Sequence, residues 1–190
     1  VHGGPWSRGG SWVWDQESQF LATRGYVVIT PEFRGSTGFG DHHFRAGWKQ
    51  WGQRMQDDVN DALRFAIDKG LVDPKRVCIA GASYGGYATL MGLARDPDLF
   101  KCGVAWVAVS DPRLMYSVHW SDVSTETKEY SMPEMVGDLK KDAAMLEAAL
   151  HEAGVTPGEA VMVGDTVYDI AMARSAGVRA VGVAWGYHEV

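Results

Sequence analysis

The chain has 190 residues with a formal net charge of −6, and 46% of its residues are apolar against 22% charged, a globular composition with ample material for a sizeable core. Both signs of charge are interspersed without a basic stripe, which argues against a nucleic-acid partner, and no apolar run is long enough to span a bilayer. Two cysteines are too few for a disulfide framework, while 23 glycines and 8 tryptophans point to tight turns beside aromatic-lined surfaces.

The chain opens on Val1-His2-Gly3-Gly4, which reads as the end of a strand and lacks an initiating methionine, so an N-terminal portion is expected to precede it. His2-Gly3-Gly4-Pro5 is a loop whose glycines let a backbone N–H approach a ligand closely, although alone it would equally suit an ordinary Gly-Gly-Pro turn. Asp15 to Arg24 predicts a helix closed by Gly25, and Tyr26 to Thr30 predicts a buried strand stopped by Pro31. Phe33 to Gly40 is a glycine-punctuated loop. Between Asp41 and Gly52 lies a polar and aromatic stretch expected near the rim of a site. Its His42 and His43 have no carboxylate or cysteine at ligand spacing and read as exposed loop histidines. Asp57 and Asp58 precede an amphipathic run ending at Lys69-Gly70, so they read as acidic capping groups of a helix.

Val77 to Ala80 reads as a buried strand and Tyr84 to Ala94 as a helix, so Gly81-Ala82-Ser83-Tyr84-Gly85 must reverse the chain between them. In a G-x-S-x-G elbow the serine sits at a strained turn with its oxygen exposed, and the strand and helix on either side are the context this motif needs. Ser83 is therefore the candidate nucleophile. The backbone N–H of Tyr84 and that of Gly4 are the candidate oxyanion donors, since a glycine-rich loop beside a serine elbow commonly completes the pair. Gly103 to Val109 predicts a further buried strand, and Leu114 to Val136 an irregular, partly helical excursion. Cys78 and Cys102 fall in apolar runs and read as unpaired buried hydrophobes, favouring a reducing compartment and a cytoplasmic location. Strands alternating with helices predict a mostly parallel α/β sheet with right-handed crossovers.

Residues 1 to about 138 resemble the catalytic domain of prolyl oligopeptidase-type serine peptidases, in the dipeptidyl-aminopeptidase and acylaminoacyl-peptidase branch. The resemblance is carried by His2 to Pro5, Phe33-Arg-Gly-Ser-Thr-Gly-Phe-Gly40, Trp51-Gly52 with Asp57 and Asp58, Val72 to Arg76, and Gly81 to Tyr87. It implies a three-layer α/β-hydrolase fold, an acyl-enzyme on Ser83, an oxyanion hole from Gly4 and Tyr84, a peptide or acyl-peptide substrate and no cofactor. Members of that family also carry an N-terminal β-propeller, which this sequence lacks.

Residues 139 to 190 lack the family's expected tail and instead resemble the C-terminal part of a haloacid-dehalogenase-type phosphatase, so the chain reads as two partial domains with a grafted βαβ segment. By that resemblance Asp165 and Asp169 would hold Mg²⁺ and Lys140 would neutralise a phosphoryl group. The D-x-D-x-T half of that motif is absent, leaving phosphoryl transfer without its nucleophile. Should the strand Ala160 to Val163 dock beside Gly103 to Val109, Asp165 would emerge where a hydrolase's acid does, with His188 as the base, in the order serine, acid, histidine. Failing that, Asp165 and His188 are a solvated carboxylate and a terminal-loop imidazole, and the chain is a non-catalytic chimera.

Overall fold

The computed structural model describes residues 1–110, 112–116 and 124–137, with backbone only at 113–114, together with the backbone of two strands at 161–164 and 179–182. Strands β1 (Cys78–Ala82), β2 (Cys102–Trp106), β3 (Val161–Gly164) and β4 (Arg179–Gly182) form a parallel sheet in the order β1-β2-β3-β4. Ile79 lies opposite Gly103 in β1–β2, Trp106 opposite Val163 in β2–β3, and Val161 opposite Arg179 in β3–β4. The strands expected near 160–163 and 178–184 thus fall where predicted, and β3 docks directly on β2.

The helices are α1 (Gln16–Ala22), α2 (Asp41–Arg45), α3 (Arg54–Asp68), α4 (Tyr84–Arg95) and the short α5 (Met132–Met135), of which α4 packs on β1 and β2 and α3 packs on α4. The crossover helix α4 covers the face of β1 and β2 that carries Ile79, Gly81 and Gly103; a Cβ on Gly103 would meet the side chains of Leu93 and Thr89. Behind α4, helix α3 buries Met55, Val59 and Leu63 at the spacing of one helical face. From the expected excursion, Met115, Met132 and Val136 join the same core.

Four expectations need correction. Tyr26 to Thr30 forms no strand, and Tyr26 and Val27 are each 59% exposed, because no neighbouring strand offers them a ladder among the described residues. β2 is not buried on both faces: Val104 is 58% exposed, since the helical layer lies on one side of β1 and β2 and the opposite face is open among the described residues. α3 begins at Arg54, so Asp57 lies in its first turn as expected, but neither acid is the cap: that position is Gln53, whose side chain makes no capping bond. The acids are instead bound by arginines: Asp58 takes the backbone N–H, Nε and Nη2 of Arg34 at 2.9, 2.7 and 2.6 Å, and Asp57 Oδ1 takes Arg95 Nη2 at 2.6 Å. The forked guanidinium suits a carboxylate, and nothing local in sequence reveals which arginine will arrive.

The fourth correction concerns the cysteines. Cys78 and Cys102 are register partners, with Cα atoms 4.6 Å apart, and form a disulfide on the open face of the sheet. The compartment argument drawn from unpaired thiols falls with this pairing. Closing a loop of 24 residues restricts the unfolded chain, so reduction, or the pair of substitutions Cys78→Ser and Cys102→Ser, is expected to cost about 3 kcal/mol in a denaturant melt. An unchanged midpoint with and without reductant would exclude that contribution.

Candidate active site

β1 runs into α4 without a connecting loop, so Ser83 must turn the chain in a single residue. It does so at φ 56° and ψ −119°, a left-handed conformation that a residue with a Cβ adopts only under constraint. The constraint comes from the end of β2. Ser83 N–H donates to Trp106 C=O at 3.2 Å, and Ser83 C=O accepts from Val109 N–H at 3.2 Å and from Tyr87 N–H at 3.1 Å. The side chain is left exposed at the C-terminal end of the parallel sheet, where sites of open α/β sheets lie. Glycine at position 85 is dictated by close approach, because a Cβ there would overlap the Val1 carbonyl oxygen.

The loop His2 to Pro5 lies directly on this elbow. A Cβ on Gly3 would stand 3.3 Å from Ala82 O and 3.4 Å from Ser83 Cβ, and the Val1 amino group donates to Ala80 C=O at 2.6 Å. Gly4 has φ +121°, and any Cβ there would come within 2.5 Å of Ser7 Oγ, so only glycine fits. Neither Gly4 N–H nor Tyr84 N–H donates to any group among the described residues; Tyr84 follows Ser83 in sequence, and Gly3, which precedes Gly4, lies against Ser83. The structure thus places Ser83 at the elbow, Tyr84 at the first position of α4 and the loop that contains Gly4 against the elbow through Gly3.

Tyr84 is anchored by its ring, which is 1% exposed and packs against Phe33 at 5.3 Å and edge-on to Trp51 at 4.7 Å between centroids. Burial pushes its phenol well above the ordinary value, so the hydroxyl stays protonated and is no base. Trp51 thus belongs to the wall behind the elbow rather than to the rim. His42 and His43 occupy α2 instead of a loop, with His43 Nε2 3.1 Å from Phe33 C=O, and no group of three metal-ligating side chains occurs among the described residues.

Sequence reasoning missed two features. Val107, at φ 43°, makes the turn that delivers the Trp106 and Val109 backbone bonds to Ser83, and a β-branched residue gives no warning of a left-handed turn. His2 was read only as part of a glycine loop. Its ring stacks on Phe33 at 4.3 Å and 14°, with Nδ1 2.7 Å from Gly3 C=O and Nε2 3.0 Å from Ser36 Oγ. Lys140, Asp165, Asp169 and His188 lie outside the described residues. β3 does end at Gly164 beside the end of β2, at the same end of the sheet as Ser83.

Residues 12–165 match the model of the prolyl oligopeptidase family. The chain belongs to the prolyl oligopeptidase family. The match crosses the join expected at 138–139 and reaches the residue after β3. The chain is 41% identical over 146 residues to dipeptidyl aminopeptidase BIII of Pseudoxanthomonas mexicana, covering 75% of this chain and 20% of that protein. It is 31% identical over 142 residues to acylamino-acid-releasing enzyme 1 of Oryza sativa subsp. japonica, covering 75% and 17%. The chain thus spans about a fifth of the length of the curated relatives it matches. In fold it is similar to a puromycin-hydrolyzing peptidase of Mycobacterium tuberculosis, with a TM-score of 0.75 at 24% identity over 96% of this chain and 29% of that one. It is also similar to an acylaminoacyl peptidase of Pyrococcus horikoshii, with a TM-score of 0.74 at 22% identity over 96% and 31%. This prolyl oligopeptidase-family chain therefore has an α/β-hydrolase architecture, and no described helix is long and apolar enough to cross a membrane.

The state of His2 sets a pH dependence. Burial lowers its pKa below the ordinary 6.5, against the opposing pull of the Gly3 carbonyl and Glu32. The unfolded chain then binds the proton more readily than the folded one, so this contribution to stability is full above about pH 6.5 and declines as pH falls towards the folded value. Unfolding free energies measured from pH 8 down to about pH 5 should fall in wild type and fall less in His2→Asn. Parallel curves for the two proteins would rule the imidazole out as the source.

Proposed function

We propose that the chain carries the nucleophile and oxyanion hole of a serine peptidase that cleaves peptide or acyl-peptide bonds through an acyl-enzyme on Ser83. The observation that carries this reading is the exposed Ser83 at its strained turn, with the glycine loop of Gly3 and Gly4 against it. The names of the relatives, a dipeptidyl aminopeptidase and an acylamino-acid-releasing enzyme, support peptide and acyl-peptide substrates.

In this reading Ser83 Oγ attacks the scissile carbonyl carbon while its proton passes to an imidazole base. The carbonyl oxygen becomes an oxyanion held by the N–H groups of Gly4 and Tyr84. The imidazolium then gives the proton to the leaving amine, the C–N bond breaks, and an ester remains on Ser83. Water, deprotonated by the same base, hydrolyses that ester and restores the hydroxyl. We assign the base to His188 and its orienting carboxylate to Asp165. The docking of β3 on β2 supports that assignment, because the chain leaves β3 at Gly164 at the end of the sheet where Ser83 stands. The order Ser83, Asp165, His188 is that of α/β-hydrolases.

The chemistry needs no cofactor, and no step uses Mg²⁺, Lys140 or Asp169. On this reading residues 139–190 complete the hydrolase sheet, which the family match through residue 165 and the docking of β3 on β2 support. The Asp169 carboxylate and Lys140 then have no part in the reaction.

A fluorophosphonate probe and a chromogenic dipeptide or acyl-amino-acid amide test the reading. Labelling and turnover should both vanish in Ser83→Ala, and His188→Ala should lower turnover by about 10²–10⁴-fold. Labelling that survives Ser83→Ala would overturn the nucleophile, and unchanged turnover in His188→Ala would overturn the base.

A further inference from the structure

The disulfide between Cys78 and Cys102 belongs to the same unit that seats Ser83. Cys78 starts β1, which leads into Ser83, and Cys102 starts β2, which ends at Trp106. The two strands are thus joined by sulfur at one end and, at the other, by the bond from Ser83 N–H to Trp106 C=O at 3.2 Å. Helix α4 lies in the chain between the two cysteines.

Side chains alternate along both strands. Ile79 and Gly81 turn towards α4, while Cys78 and Cys102 stand on the opposite face with Ala80 and Val104. Both cysteines are exposed there, and that face is open among the described residues, so a thiol reaches the sulfurs without entering the core. Exposed disulfides exchange more readily than buried ones. The ladder also keeps the pair together once the bond is broken: Ile79 opposite Gly103 and Ala80 opposite Val104 hold the register, so two reduced thiols remain neighbours and close again without a search.

We propose that Cys78–Cys102 is a redox-sensitive clasp on the serine elbow: it opens and closes by thiol–disulfide exchange in the folded chain, and its state sets how often β1 and β2 part beneath Ser83. In the opening step the thiolate of a dithiol attacks one sulfur, the S–S bond breaks, and the other cysteine leaves as a thiolate that takes up a proton. The second thiol of the reagent, as its thiolate, then attacks the mixed disulfide and releases the first cysteine, which is protonated in turn. Two electrons pass to the chain and the dithiol ends as its own disulfide; glutathione disulfide supplies the oxidant for the reverse exchange.

The clasp acts on the parted state of the strands. While it is shut, an opening that separates β1 from β2 leaves the chain between them as a loop closed by sulfur. Once reduced, that loop is free and the parted state gains entropy. With the strands paired, the bonds that seat Ser83 are the same in both redox states.

Amide hydrogen exchange of the intact chain reads this directly, because Trp106 C=O protects the Ser83 N–H. The comparison takes the oxidised wild type, the wild type reduced with dithiothreitol, and the double substitution Cys78→Ser with Cys102→Ser. Ser83 N–H should exchange about 10²-fold faster after reduction and return to the oxidised rate with glutathione disulfide. The double variant should exchange at the reduced rate under either reagent, and the reduced wild type carries the test without it should that variant fail to fold. The N–H of Leu63, in α3 outside the loop, should accelerate far less. Equal Ser83 exchange before and after reduction overturns the proposal. So does equal acceleration at Leu63, which would make the bond a general stabiliser, or a disulfide that dithiothreitol opens only at denaturant concentrations that unfold the chain.

Discussion

The seating of the Ser83 backbone is the constraint on which the rest depends. A serine at φ 56° has no intrinsic reason to remain there, and the three backbone hydrogen bonds to Trp106, Val109 and Tyr87 supply one. Each comes from a different part of the fold: the end of β2, the segment after it and the first turn of α4. The nucleophile's position is therefore a property of the β1–α4–β2 unit as a whole. A rigid scaffold of this kind is what lets a reacting oxygen be held in place without a side chain to hold it.

Around this unit the chain builds a second set of restraints, mostly aromatic. Phe33 touches both the His2 ring and the Tyr84 ring, so one fully buried phenylalanine supports the two segments that supply the candidate oxyanion donors. Phe33 is itself located by its neighbour Arg34, whose three contacts to Asp58 tie the loop after residue 32 to α3. The path from α3 through Arg34 and Phe33 to His2 ties a loop rich in glycine to the helical layer. Its glycines allow close approach, and the side chains between them provide the order.

Much of this was legible in the sequence, and the pattern of success is physical. The elbow could be read because Gly81 and Gly85 flank Ser83 between a four-residue apolar run and a helical one, a local signal with a local cause. β3 and β4 were legible for the same reason. The end of α3 at Lys69-Gly70 follows from Gly70, at φ +68°. What escaped were relations between distant residues. Asp57 and Asp58 carry the local mark of a helix N-terminus, yet arginines 24 and 38 positions away claim them. Cys78 and Cys102 look like ordinary strand hydrophobes until the β1–β2 register puts them opposite each other. Tyr26 to Thr30 has the composition of a strand but no partner among the described residues, and composition cannot supply a ladder. His2 escaped because its role depends on what its two nitrogens meet.

Val107 carries a consequence of its own. It stands at φ 43° one residue beyond Trp106, whose carbonyl holds Ser83 N–H, so two strained residues from separate turns are hooked to each other. Relaxing either one withdraws a bond that keeps the other strained. A substitution that shifts the turn at Val107 therefore reaches the nucleophile through the Trp106 carbonyl without touching it.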